Sequence, residues 1–179
     1  HVLAAINSRR PTAFTGAAAF GGAFTQEVLR TMAKLNAQPI VFALSNPTSK
    51  ADCYAEEAYR HTEGRALFAC GSPFEPVKLD GKTFVPRQGN NSYIFPGVGL
   101  GAIASGSRLV TDEMFMAAAH TLANSVSEAD LRQGSLYPAL PRIREVSAQI
   151  GAAVADVAWQ RGLAAGPPPN DTISFIQSQ

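Results

Sequence analysis

Three short apolar runs separated by two helical stretches constrain this chain more than any other feature. The runs are Pro11 to Gly16, Pro39 to Leu44 (Pro-Ile-Val-Phe-Ala-Leu) and Ala66 to Cys70. Each is bounded by Gly or Pro and reads as a buried strand. Between the first and second, Gly21-Gly22 breaks the chain and Thr25 stands as an N-cap with Glu27 in the first turn. Phe24, Val28, Leu29, Met32 and Leu35 then recur at helical spacing as far as Asn36. Between the second and third, Ser45-Asn46-Pro47-Thr48 is a turn, and a helix through Ala55 to Tyr59 ends at Gly64. Strand, helix, strand, helix, strand implies right-handed crossovers and hence a parallel sheet.

In such sheets ligands bind outside the carboxyl ends of the strands. Three segments occupy those ends: Gly16-Ala17-Ala18, Ser45-Asn46-Pro47 and Gly71-Ser72-Pro73. All are small or polar, which lets a ligand approach the backbone closely. The remainder of the chain changes character. Val77 to Val85 reads as a hairpin turning at Asp80-Gly81, and Pro86 to Asn91 as a polar, turn-rich link. Helices follow. One is capped by Thr111, with Phe115, Ala118, Ala119, Leu122 and Val126 on its apolar face. A short one runs from Ser127-Glu128-Ala129-Asp130 to Gly134. A long one carries the stripe Ile143, Val146, Ile150, Val154 and Val157, and stops at Gly162. Gly166-Pro167-Pro168-Pro169 is a stiff, extended tail segment. The expected fold class is α/β: a partial Rossmann-like, doubly wound parallel sheet followed by a helical C-terminal cap. Residues 1–165 form the main portion and 166–179 a Pro-rich tail.

A net charge of +1 offers no basic stripe, so nucleic acid is not an expected partner. No stretch has the length of a membrane span without Gly or charge interruption, so no membrane partner is expected either. Cys53 and Cys70 are read as buried free thiols, which fits a reducing, cytoplasmic setting. The start at His1-Val2-Leu3 has neither an initiator Met nor signal-peptide features, and reads as a start within a domain. His1, His61 and His120 show no metal-ligand spacing. Gly97-Val98-Gly99-Leu100-Gly101-Ala102 matches the loose G-x-G-x-x-A dinucleotide fingerprint. Pro96 interrupts its entry, however, and a capped helix follows where a strand is required. These glycines are read instead as letting a helix pack closely. Asn90-Asn91 and Asn46 are more suggestive, because an amide can donate to a carboxylate and accept from a hydroxyl without adding charge. That chemistry suits a hydroxy acid. Turn asparagines also commonly satisfy their own backbone.

Four stretches together resemble the malic enzyme family, large type. They are Phe42-Ala43-Leu44-Ser45-Asn46-Pro47-Thr48; Ala55-Glu56-Glu57-Ala58-Tyr59 with Thr62-Glu63-Gly64-Arg65; Gly71-Ser72-Pro73-Phe74; and Gln88-Gly89-Asn90-Asn91-Ser92-Tyr93-Ile94-Phe95-Pro96-Gly97. Leu136-Tyr137-Pro138 fits as well. The resemblance covers about Pro11 to Gly162 and places the chain in the C-terminal portion of the family's NAD(P)-binding domain. It implies oxidative decarboxylation of (S)-malate to pyruvate and carbon dioxide, with NAD or NADP and Mg²⁺ or Mn²⁺. It further implies malate contacts at Asn46, Asn90 and Asn91, and cofactor contacts at Gly16, Ala17, Asn46 and Asn90. The catalytic residues and metal ligands of the family fall in stretches upstream of His1, so none is expected in this chain, and the chain alone is expected to be inactive. A homo-oligomer is the expected assembly. A malolactic enzyme and a truncated, non-catalytic binding or oligomerisation module are the alternatives.

Three positions depart from the family. Tyr54 stands where Thr or Ser usually caps a helix, with Asp52 as the candidate substitute. Arg87 stands where Gly is usual, which would add strain if that position requires φ > 0. Cys70 replaces a usual Ser, a mild change.

Overall fold

The structure, a computed structural model, describes residues 2–179; His1 lies outside the described residues. In chain order the elements are α1 (Val2–Arg9), β1 (Ala13–Gly16), α2 (Gln26–Leu35), β2 (Ile40–Ala43), α3 (Ala55–His61) and β3 (Leu67–Cys70). Then come β4 (Val77–Leu79), β5 (Lys82–Phe84), β6 (Arg87–Gln88), α4 (Phe95–Ser105), α5 (Asp112–Asn124), α6 (Glu128–Arg132), α7 (Ile143–Gln160) and α8 (Thr172–Gln177). Two compact units result: the chain up to Gly89 with Glu128–Tyr137, and Asn90–Ser127 with Pro138–Gln179.

The first unit is α/β. Its sheet runs β1-β2-β3-β6, all parallel, as the strand–helix alternation requires. Gly16 lies opposite Ala43, and Ala43 opposite Cys70, so the carboxyl ends of three strands are level. Val41, Ala43, Phe68 and Cys70 on the sheet pack with Leu29, Ala58 and Tyr59 on the helices to make one core. Each large side chain so buried contributes on the order of 1.5–3 kcal/mol. Thr25 caps α2 by accepting from the Val28 N–H at 3.4 Å. The other end of α2 is closed by Arg65, whose guanidinium donates to the carbonyls of Ala33, Asn36 and Ala37 at 2.9–3.1 Å. Helix α1, which has no clear sequence signal, packs on α2 through Ile6, Val28 and Met32.

The hairpin is as expected, with Asp80 at φ 49° and Gly81 at φ 77°, the left-handed pair its two-residue turn demands. The polar link after it is not. Arg87–Gln88 is a fourth strand, paired in parallel with Ala69–Cys70. Arg87 is not among the residues at positive φ, so the strain expected of it there is absent.

The second unit is helical. Two of the three fingerprint-like glycines on α4 make room for α7: a Cβ at Gly97 would lie 2.6 Å from the Ile150 side chain, and one at Gly101 would collide with the Gly151 carbonyl. The loop-like motif is therefore the interior of a packed helix. Thr111 caps α5 as expected, accepting from the Met114 N–H at 3.3 Å. The buried face of α5 is Met114, Ala118 and Leu122, one residue round from the expected face, which leaves Phe115 41% exposed. Beyond the prolines the chain is helical again. Asp171 caps α8, and Ile176 on it is buried against Ala148 and Ala155 of α7. Among the described residues, no helix is long and apolar enough to cross a membrane.

Candidate functional site

Asn46 follows β2 directly, at the level carboxyl edge of the sheet, and is exposed. Its amide is nevertheless held. Nδ2 donates to the Leu44 carbonyl at 3.1 Å, and Oδ1 accepts from the buried Ser72 hydroxyl at 3.3 Å. Gly71 has no side chain to obstruct this: a Cβ there would sit 3.0 Å from Asn46 Nδ2 and collide with the Leu44 carbonyl. Gln88 in turn donates from Nε2 to the Gly71 carbonyl at 3.1 Å. An amide nitrogen carries two protons and its oxygen two lone pairs. One donor and one acceptor of Asn46 therefore remain without a partner among the described residues.

Gly16 ends the neighbouring strand β1 and Ala17 follows it. The bare Cα of Gly16 lies against Asp52, where a Cβ would collide with the carboxylate. Asp52 is only 1% exposed. Its Oδ2 accepts from the Ser45 N–H at 3.1 Å, and its Oδ1 has no hydrogen-bond partner among the described residues. The backbone joins in: Phe24 N–H donates to the Asp52 carbonyl at 2.8 Å, and Gly22 N–H to that of Ala51 at 3.0 Å. The Ser45 hydroxyl accepts from the Ala19 N–H at 3.1 Å. Asp52 thus fastens the loop after β1 to the loop after β2. It does not cap α3, the role the sequence suggested. The Tyr54 N–H at that cap donates instead to the Glu57 carboxylate at 2.8 Å, and the Tyr54 side chain makes no capping bond.

Asn90 and Asn91 open the second unit and are exposed. Asn90 Oδ1 accepts from the Ser92 N–H at 2.9 Å and caps the 3-10 turn Asn91–Tyr93, the self-satisfying turn role. The strand before Asn90 is anchored on both sides: Gly89 N–H donates to the Cys70 carbonyl at 2.8 Å, and a Cβ at Gly89 would meet the Tyr137 hydroxyl at 2.9 Å. Asn46 with Gly16 and Ala17 therefore share one sheet edge, while Asn90 and Asn91 belong to the second unit.

The thiols are core groups. Burial pushes Cys70 up to about 12, and Cys53 higher still, with the Glu57 and Asp52 carboxylates adding to the effect of burial. Neither is a nucleophile at neutral pH. Among the described residues, no three His, Cys, Asp or Glu are grouped to hold a metal ion, so the residues here do not fit the divalent metal of the family resemblance. Sequence reasoning located the strand-end segments but missed Asp52 and Ser72 as the groups that brace them. The signals available were Ser72 inside Gly71-Ser72-Pro73 and an acidic residue close behind the Asn46 turn.

The family model described as "Malic enzyme, NAD binding domain" matches residues 1–159. The mitochondrial NADP-dependent malic enzyme of Homo sapiens is 55% identical over 171 residues, covering 94% of this chain and 28% of that protein. NADP-dependent malic enzyme 3 of Arabidopsis thaliana is 49% identical over 178 residues, covering 99% of this chain and 30% of that protein. The crystal structure of malic enzyme from Pyrococcus horikoshii Ot3 superposes with a TM-score of 0.68 at 27% identity, covering 93% of this chain and 35% of that one. The chain thus spans less than a third of the length of these two curated relatives. On the match to residues 1–159 and on these identities, this chain belongs to the malic enzyme family.

Proposed function

We propose that this chain is the later part of the NAD(P)-binding region of an enzyme that oxidatively decarboxylates (S)-malate to pyruvate and carbon dioxide. The observation that carries the reading is Asn46: an exposed amide, oriented by its neighbours, at the level carboxyl ends of a parallel sheet. In this reading Asn46 uses its remaining donor and acceptor on malate and on the nicotinamide end of the cofactor. Asn90 and Asn91 contribute amide donors to the malate carboxylate, and Asn90 also touches the cofactor. Gly16 and Ala17 line the path of the cofactor. The small residues after β1 and the braced loops fit a dinucleotide, whose nicotinamide takes up hydride when bound. The names of the similar proteins favour NADP over NAD.

Among the described residues, β1 pairs with β2 alone, which leaves its outer edge open. An open parallel edge is a pairing surface. The isolated chain is therefore expected to self-associate, which light scattering reads directly. In this reading the acid–base pair and the metal ligands come from outside this chain, and the chain alone does not turn over malate. Two measurements test the reading. The chain incubated with malate, Mn²⁺ and NADP should give no absorbance of reduced nicotinamide; steady production of it overturns the fragment reading. In the protein that carries this chain, N46A should raise the KM for malate at least tenfold, and an unchanged KM overturns the assignment of Asn46.

A further inference from the structure

We propose that Ser72 is a positioning residue for the Asn46 amide, holding its donor and acceptor ends toward the ligand; this rests on the reading of Asn46 as a ligand contact. A primary amide is nearly symmetric in shape, so half a turn about its last torsion exchanges N–H for C=O at little steric cost. Toward a hydroxy acid that exchange turns attraction into repulsion. Asn46 therefore has to be held, not merely present.

Two groups hold it. The Leu44 carbonyl can only accept, so it selects the orientation in which Nδ2 faces it. That carbonyl is only two residues away, however, and moves with the same loop. Ser72 belongs to the end of the next strand, 26 residues on, and its hydroxyl donates to the other end of the amide at 3.3 Å. With both heavy atoms tethered to different strands, the torsion is fixed and Asn46 is tied to β3. Ser72 is 3% exposed, so its hydroxyl is not shared with solvent, and its neighbour Gly71 is itself held through its carbonyl by Gln88. The arrangement leaves one donor and one acceptor of the exposed Asn46 amide without a partner among the described residues.

Removing the hydroxyl costs the fold little, since Asn46 is exposed and its oxygen can be met by water. A functional and a structural role therefore separate. In the protein that carries this chain, S72A is expected to raise the KM for malate and the Kd for NADPH, read by fluorescence titration, by roughly 3- to 10-fold, the worth of one hydrogen bond. The kcat should stay within about twofold and the thermal midpoint should be unchanged. S72C, with a weaker donor of similar size, should fall between. N46A/S72A should be no worse than N46A, because the serine acts only through the asparagine. Wild-type KM and Kd in S72A, with N46A impaired, would overturn the role of Ser72 and leave Asn46 standing. Losses that multiply in the double variant would overturn it as well. Wild-type behaviour of N46A would remove the Asn46 reading and this proposal together.

Discussion

The Arg87 guanidinium meets the Asp130 carboxylate at 2.8 Å, with the two side chains only 18% and 15% exposed. The same guanidinium donates to the Tyr137 carbonyl at 2.8 Å. Arg87 thereby ties the short strand β6 to the segment around α6, where a glycine would supply no side chain at all. Screening by solvent and salt is weak at such burial. Arg87→Ala removes an ion pair and a charge-assisted bond, and is expected to cost about 1–3 kcal/mol. Urea unfolding at low and high salt checks it: the loss should persist at 1 M salt, and an unshifted midpoint would contradict the structural role.

How much of this was legible in the sequence depends on where the cause lies. Local causes were. Thr25 and Thr111 cap the helices they precede, and Gly81 turns the hairpin, because the cap and turn chemistry lies within three residues. The parallel sheet followed from the alternation of strand and helix. Non-local causes were not. Two polar residues have no periodicity, so Arg87–Gln88 becomes a strand only through its partners on β3 and α6. The face of α5 is chosen by its packing on α7, which prefers Met114 to the more hydrophobic Phe115. Asp52 reads locally as a cap, but the 3-10 turn Thr48–Lys50 brings it back to Ser45. The strand-end asparagine was visible; the hydroxyl that orients it lies on another loop.

Gly16 and Asp52 should be intolerant for the same reason. A methyl group at Gly16 displaces the Asp52 carboxylate, and with it the acceptor of the buried Ser45 N–H. Gly16→Ala is expected to cost about 1–3 kcal/mol, and Asp52→Ala a comparable amount through the unpaired N–H. Asp52→Asn keeps an acceptor for Ser45 and should cost less than Asp52→Ala. Denaturant midpoints in the three variants rank them; equal losses for Asn and Ala would mean that the Ser45 contact is not what Asp52 supplies.

Ala19 offers the opposite case. It sits at φ 52°, in the left-handed region that costs a residue with a Cβ about 1–2 kcal/mol. Its N–H is satisfied by the Ser45 hydroxyl at 3.1 Å, so the geometry is enforced from outside the residue. Ala19→Gly relieves the strain but adds freedom to the unfolded chain. A net gain of about 0.5–1 kcal/mol is expected, which moves the thermal midpoint upward by about 1–4 °C. A lower midpoint than that of the parent would show that the strain is not stored there.

Tyr59 carries a polar atom that the core does not use. Its ring stacks on Phe84 at 4.2 Å and meets Phe68 edge-on at 5.7 Å, while its buried hydroxyl has no hydrogen-bond partner among the described residues. A buried hydroxyl without a partner has lost its water bonds for nothing. Tyr59→Phe keeps the ring contacts and should leave stability unchanged or raise it by about 1 kcal/mol. A clear loss of stability in that variant would reveal a partner for the hydroxyl.

Alkaline pH should unfold this protein through its buried thiols. Burial raises Cys70 from 9.0 to about 12, and Cys53 shifts in the same direction. A folded value above the unfolded one means that the unfolded chain releases its protons first. The stabilisation is therefore fully present below pH 9 and declines as pH rises from 9 toward 12, by about 1.4 kcal/mol per unit for each thiol. Urea midpoints at pH 7, 8.5 and 10 should show a plateau and then a fall, made shallower by Cys70→Ala relative to that variant's own value at pH 7. Iodoacetamide should label both cysteines only as the fold opens. Rapid labelling at pH 8 under native conditions, or midpoints flat to pH 10, would place the thiols outside the dry core that the sheet and its helices enclose.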